Sequence, residues 1–147
     1  MKRVPDWRSR MHAFIAEVGA TPFDWKSFEC GVAWAGRHVE LMTGADVAAP
    51  FRGRFKDEVS ALRMIRKAGF ADLGELVSSL LEEHLGEDGK PASSRARTGD
   101  VAGIATSSKV GMSLGIVSGS RILTVGLRGY ETVDLLKADR AWKVGDA

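Results

Sequence analysis

The 147-residue sequence reads as an α+β domain, with N-terminal helices packed on a C-terminal antiparallel sheet, and three observations carry that reading. Apolar residues recur at three- and four-residue spacing as far as Gly86. From Asp100 onward the apolar segments are short and separated by Gly, Ser and Asp, the pattern of strands joined by turns. The residues between Gly86 and Gly99 follow neither period and read as an exposed connection. Because the helices precede the strands instead of alternating with them, the two kinds of element are expected in separate layers. The whole is expected as a single domain, 1–147, with a helical part at 1–86 and a β part at 99–147.

Asp6 is placed to cap a first helix whose apolar positions are Trp7, Met11, Phe14, Ile15 and Val18, and Gly19 closes it. Thr21-Pro22-Phe23-Asp24-Trp25 then predicts an extended entry to a second helix from Cys30 to Met42, stopped by Thr43-Gly44. A third helix is expected over Lys56–Ala68, with Val59, Leu62 and Ile65 on one side and Gly69 at its end. A fourth, over Asp72–Leu85, turns Leu73, Leu76, Val77, Leu80 and Leu81 inward. Strands are expected at Val101–Ala105, Met112–Val117, Ile122–Val125, Thr132–Leu136 and Ala141–Val144.

Composition narrows the function classes. A single cysteine rules out an internal disulfide and points to synthesis in a reducing cytoplasm. Behind the basic Met1-Lys2-Arg3 start there is no apolar signal-peptide core, and no run reaches the roughly 18 apolar residues of a membrane span. A net charge of +2 gives no general case for nucleic acid. Basic residues do gather in one stretch, Arg52, Arg54, Lys56, Arg63, Arg66 and Lys67, interrupted by Asp57 and Glu58. The plain reading of that stretch is a solvated helix face; Arg52, Arg54 and Lys56 are the candidates for protein docking. No paired Cys or His spacing suits a metal, and no Gly-rich phosphate loop is present, so neither metal nor cofactor is expected. Gly111-Met112-Ser113-Leu114-Gly115 has the letters of a nucleophile elbow, but it leads into strand-like residues where an elbow needs a helix.

Cys30 is the residue with the most chemistry to offer. A thiol at a helix N-terminus feels the positive end of the backbone dipole, which favours its thiolate. Catalysis also needs a base within about 3 Å, and the chain has three histidines. His38 follows Cys30 by eight positions on the same predicted helix, about 12 Å along the axis. His12 lies beside the first apolar stripe, and His84 is expected in the last turn of the fourth helix, where a cation suits the dipole. All three have structural explanations, and Cys30 itself can be a small buried residue at a tight helix–sheet contact. Trp25 and Phe28, just ahead of Cys30, are candidate groove-rim contacts to a partner.

A set of short motifs spans nearly the whole chain: Pro22-Phe23-Asp24-Trp25 leading to Glu29-Cys30; Met42-Thr43-Gly44 with Phe51-Arg52-Gly53-Arg54-Phe55; Ala61-Leu62-Arg63; Ala68-Gly69-Phe70; Gly99-Asp100-Val101; Leu114-Gly115-Ile116; and Arg140-Ala141-Trp142-Lys143-Val144. In this order they resemble a phage-encoded family of unknown function related to the NlpC-type, papain-like cell-wall peptidases. The resemblance implies a papain-like fold with Cys30 opening a helix packed on the sheet and Gly99-Asp100 starting the first core strand. It also implies a catalytic histidine at the head of the next strand, where this sequence has Ser113. A serine hydroxyl is no base for a thiol.

The expected function is therefore a structural or assembly protein of a phage tail tip or baseplate region, carried in the virion after synthesis in the host cytoplasm. Its partners would be other tail proteins, and peptidoglycan is a further possible ligand. The alternative is a cysteine peptidase or amidase acting on peptidoglycan with Cys30 as nucleophile; a groove that binds peptidoglycan fragments without cutting them is a third reading.

Overall fold

The computed structural model describes residues 1–18, 31–51, 57–86, 89–126 and 129–146. Helices α1 (Trp7–Val18), α2 (Gly31–Thr43), α3 (Glu58–Lys67) and α4 (Leu73–Leu80) precede the main strands. The strands are β1 (Glu82–Glu83), β2 (Val101–Ala105), β3 (Met112–Ser118), β4 (Arg121–Gly126), β5 (Gly129–Asp134) and β6 (Arg140–Lys143). They form one antiparallel sheet in the order β1-β6-β2-β3-β4-β5. The chain is thus an α+β protein with N-terminal helices against a C-terminal six-stranded antiparallel sheet. No helix among the described residues is long and apolar enough to cross a membrane.

Local signals set the helix starts. Asp57 caps α3 through a reciprocal pair with Ser60, its carboxylate accepting from the Ser60 N–H while the Ser60 hydroxyl accepts from the Asp57 N–H. Asp72 caps α4 by accepting from the Glu75 N–H, and Glu75 reaches back to the Ala71 N–H. Arg63, Arg66 and Lys67 lie exposed on the outer face of α3, as expected of a solvated surface.

The end of α4 departs from expectation. The apolar spacing predicts helix to Leu85, yet Leu81 is extended and Glu82 and Glu83 pair with Lys143 and Trp142 of β6. Tertiary bonds compete with the helical ones here. The Ser78 hydroxyl accepts from the Arg140 guanidinium (2.8 Å) and the Trp142 indole (2.9 Å) and donates to Glu83 (3.0 Å). Arg140 also grips both Glu83 oxygens, at 2.6 and 2.9 Å, which holds that carboxyl below its ordinary pKa. The fourth long strand also shifts: it ends at Asp134, whose carboxylate accepts from the Leu136 N–H and starts a tight turn at Leu135–Lys137.

The sheet has two differently covered faces. Toward the helices point Val101, Met112, Leu114, Ile116 and Trp142, which share a core with Met11, Phe14, Trp34, Val39 and Met42. On the other face Ala102, Val117, Ile122 and Ala138 form a smaller cluster. Side chains alternate along a strand, so each face takes every second residue. The largest buried side chains, Trp34, Trp142 and Phe14, sit in the helix-facing core and stabilise it by about 1.5–3 kcal/mol each relative to exposure.

Candidate functional site

The polar centre of the molecule is Asp100, at the entry to β2. Gly99 before it has φ +97°, a left-handed conformation that favours glycine, and a Cβ there would come within 2.6 Å of Met42 Cε and 3.0 Å of the Arg3 guanidinium. This turn swings the Asp100 side chain, only 2% exposed, into a ring of donors. Oδ1 accepts from Arg3 Nη2 (3.0 Å) and the Val144 N–H (3.1 Å). Oδ2 accepts from His84 Nε2 (2.8 Å) and the Arg97 N–H (2.9 Å). A buried carboxylate is tolerable when paired and hydrogen-bonded in this way.

Arg3 is as fully used as its partner. Its Nε donates to the Val144 carbonyl (2.8 Å) and its Nη1 to the Thr98 carbonyl (2.8 Å), and the guanidinium lies 4.3 Å from the centre of the Trp7 ring. Burial holds the Arg3 pKa below its ordinary value, against the opposing pull of Asp100. The cluster therefore ties together the N-terminal segment, the exit of β1, the start of β2 and the end of β6. Gly99-Asp100 has a structural explanation in this network alone.

His38 lies directly beneath. It is fully buried on α2, and its Nε2 donates to the Gly99 carbonyl at 2.7 Å, which leaves Nδ1 as the unprotonated nitrogen. Burial pushes its pKa down to about 4, with the Gly99 bond working the other way. At neutral pH His38 is an uncharged structural donor. His84 is not in a helical last turn, as the spacing predicts; it follows β1 and is fixed by Asp100. His12 is exposed on α1.

The structure separates several of the residues singled out in the sequence. Ser113 pairs with Ile104, and by strand alternation it lies on the same face as Gly115 and Val117, away from α2. The helix-facing residues of β3 are Met112, Leu114 and Ile116, all apolar. A side chain at position 113 therefore points to the opposite face from the helix layer. Cys30, Trp25, Phe28, Arg52, Arg54 and Lys56 lie outside the described residues. Gly31, which follows Cys30, opens α2 at the end remote from Asp100: it is about 16 Å along the axis from Met42, which touches Gly99.

Sequence reasoning singled out Gly99-Asp100 but not its partners. Arg3 reads as an ordinary N-terminal charge, and nothing local marks Arg97 or joins it to His84. No group of three or more potential metal ligands exists among the described residues.

A model of the family described as "Domain of unknown function (DUF6950)" matches residues 2–144. The chain belongs to the DUF6950 family. No curated protein and no solved structure matches it. The DUF6950 match takes in both Arg3 and Val144, the two ends of the chain that meet at Asp100.

Proposed function

We propose that this DUF6950 protein is a non-hydrolytic assembly component of a phage tail tip or baseplate, built on an NlpC-like, papain-like fold. The observation that carries the non-hydrolytic reading is the face of β3. α2 packs on this part of the sheet: His38 bonds the Gly99 carbonyl, and Ala35, Gly36 and Val39 line a cavity with Val101 and Leu114. The strand residues on that side are apolar, and Ser113 is turned away. His38 and His84 are committed to Gly99 and Asp100. The resemblance in the sequence supports the phage setting, and α2 packed on β3 supports a helix-on-sheet arrangement, whereas position 113 faces away from α2 and does not fit the histidine position that the resemblance implies.

The rival is a peptidase in which Cys30 attacks a peptide carbonyl, with His12 the described histidine not bound to Asp100 or Gly99. Alkylation separates the two. A nucleophile with a base reacts rapidly with iodoacetamide at neutral pH; we expect Cys30 to react no faster than a free thiol. For the assembly role, Cys30→Ser is expected to leave particle formation intact, and deletion of the protein is expected to stop it. Particles that form normally without the protein would refute the assembly reading.

A further inference from the structure

A cleft of about 820 Å³ opens beside the Asp100 cluster, lined by residues that include Arg3, Glu82, His84, Arg97, Lys143 and Asp146. Its acids are largely engaged: Asp100 with Arg3 and His84, Glu83 with Arg140, Asp146 with Lys143. Arg97 differs. Its backbone N–H is fixed on Asp100 Oδ2, while its guanidinium makes no hydrogen bond or ion pair among the described residues. His84 Nε2 hangs from the same carboxylate oxygen, so the two residues are anchored side by side at the cleft. With Nε2 committed to Asp100, the imidazole keeps only Nδ1 for a ligand. Arg3 also lines the cleft, paired with Asp100, and outside these pairs the lining carries the charges of Glu82, Arg95 and Arg97.

We propose that this cleft is an oxyanion-binding site in which the Arg97 guanidinium is the principal donor, with the His84 ring held beside it. A carboxylate or a phosphate presents paired acceptor oxygens that match the planar fork of an arginine, and a charge-assisted bond of this kind is among the stronger polar contacts. The buried Asp100 fixes the orientation of the His84 ring through Nε2. Arg3 is a positioning residue, since its side-chain hydrogen bonds go to Val144, Thr98 and Asp100. The site is independent of Cys30 and of the assembly reading.

The test is titration of the full chain with inorganic phosphate and, separately, with N-acetylalanine as a peptide-like carboxylate, following the His84 ring resonances by NMR. The expected result is a saturable shift with at least one probe, weakened about tenfold or more in Arg97→Gln, with thermal melting confirming that the variant folds. Arg121→Gln, on β4 and bonded to Thr132, is the control and is expected to bind like the parent. The probe that binds more tightly identifies the class of anion. Saturation by neither probe, or binding that persists undiminished without the Arg97 guanidinium, would overturn the site.

Discussion

At the C-terminal end of α2, His38 and Met42 sit beneath a glycine-aspartate turn where one carboxylate answers four donors from four parts of the chain. Toward the other end, α2 faces β3 across Leu114, in a small cavity lined by Ala35, Gly36, Val39 and Leu114, with no polar side chain on that wall. The contrast teaches where the chemistry of this fold has gone. Among the described residues, the buried carboxylate of Asp100 and its donors lie about 16 Å along the axis from the helix start that follows Cys30, and there they hold the structure together.

The largest effect should come from breaking the polar end. Asp100→Ala leaves Arg3 buried without its anion and removes acceptors from two backbone N–H groups, so a loss of about 3–5 kcal/mol is expected in urea unfolding. A loss below about 1 kcal/mol would mean that the cluster is not the keystone described above.

Next is the pH dependence contributed by His38. Its folded pKa of about 4 lies below its unfolded value of 6.5, so the unfolded chain binds more protons between those limits. The stability is fully present above about pH 6.5, falls as pH drops toward 4, and levels off below; the span is roughly 3 kcal/mol. His38→Gln keeps an N–H for the Gly99 carbonyl and should flatten that part of the profile. An unchanged slope would remove His38 as its source.

Gly99→Ala is expected to cost about 2 kcal/mol, from the left-handed backbone and the displacement of Met42 and Arg3. The effect should be sharper at this turn than for Gly44→Ala, where φ is also positive but nothing lies within 4 Å of the added carbon. Equal costs would assign the whole penalty to the backbone. Smallest is Asp72→Ala, which removes the α4 cap at about 1 kcal/mol, measured in the same unfolding experiment.

Much of the architecture is legible in the chain because the periods are local. The apolar stripes of the helices, the helix start at Asp72 and the short apolar segments of β2 and β3 all follow from neighbouring residues. What escapes is set by distant partners. Leu81-Glu82-Glu83-His84 continues a helical pattern without a breaker, and only the pairing with β6 and the reach of Arg140 make it extended. The Asp100 cluster is hidden for the same reason: Arg3 and Asp100 stand 97 positions apart. Ser113 shows a different limit, since the sequence identifies the strand, but only the packing shows which face the helices cover.

The most direct measurement is incubation of purified protein with peptidoglycan, comparing fragments released by the parent chain and by Cys30→Ser. The apolar helix-facing side of β3 predicts no release above the buffer control from either protein. Release by the parent that disappears in Cys30→Ser would contradict the account and show that a base reaches the sulfur.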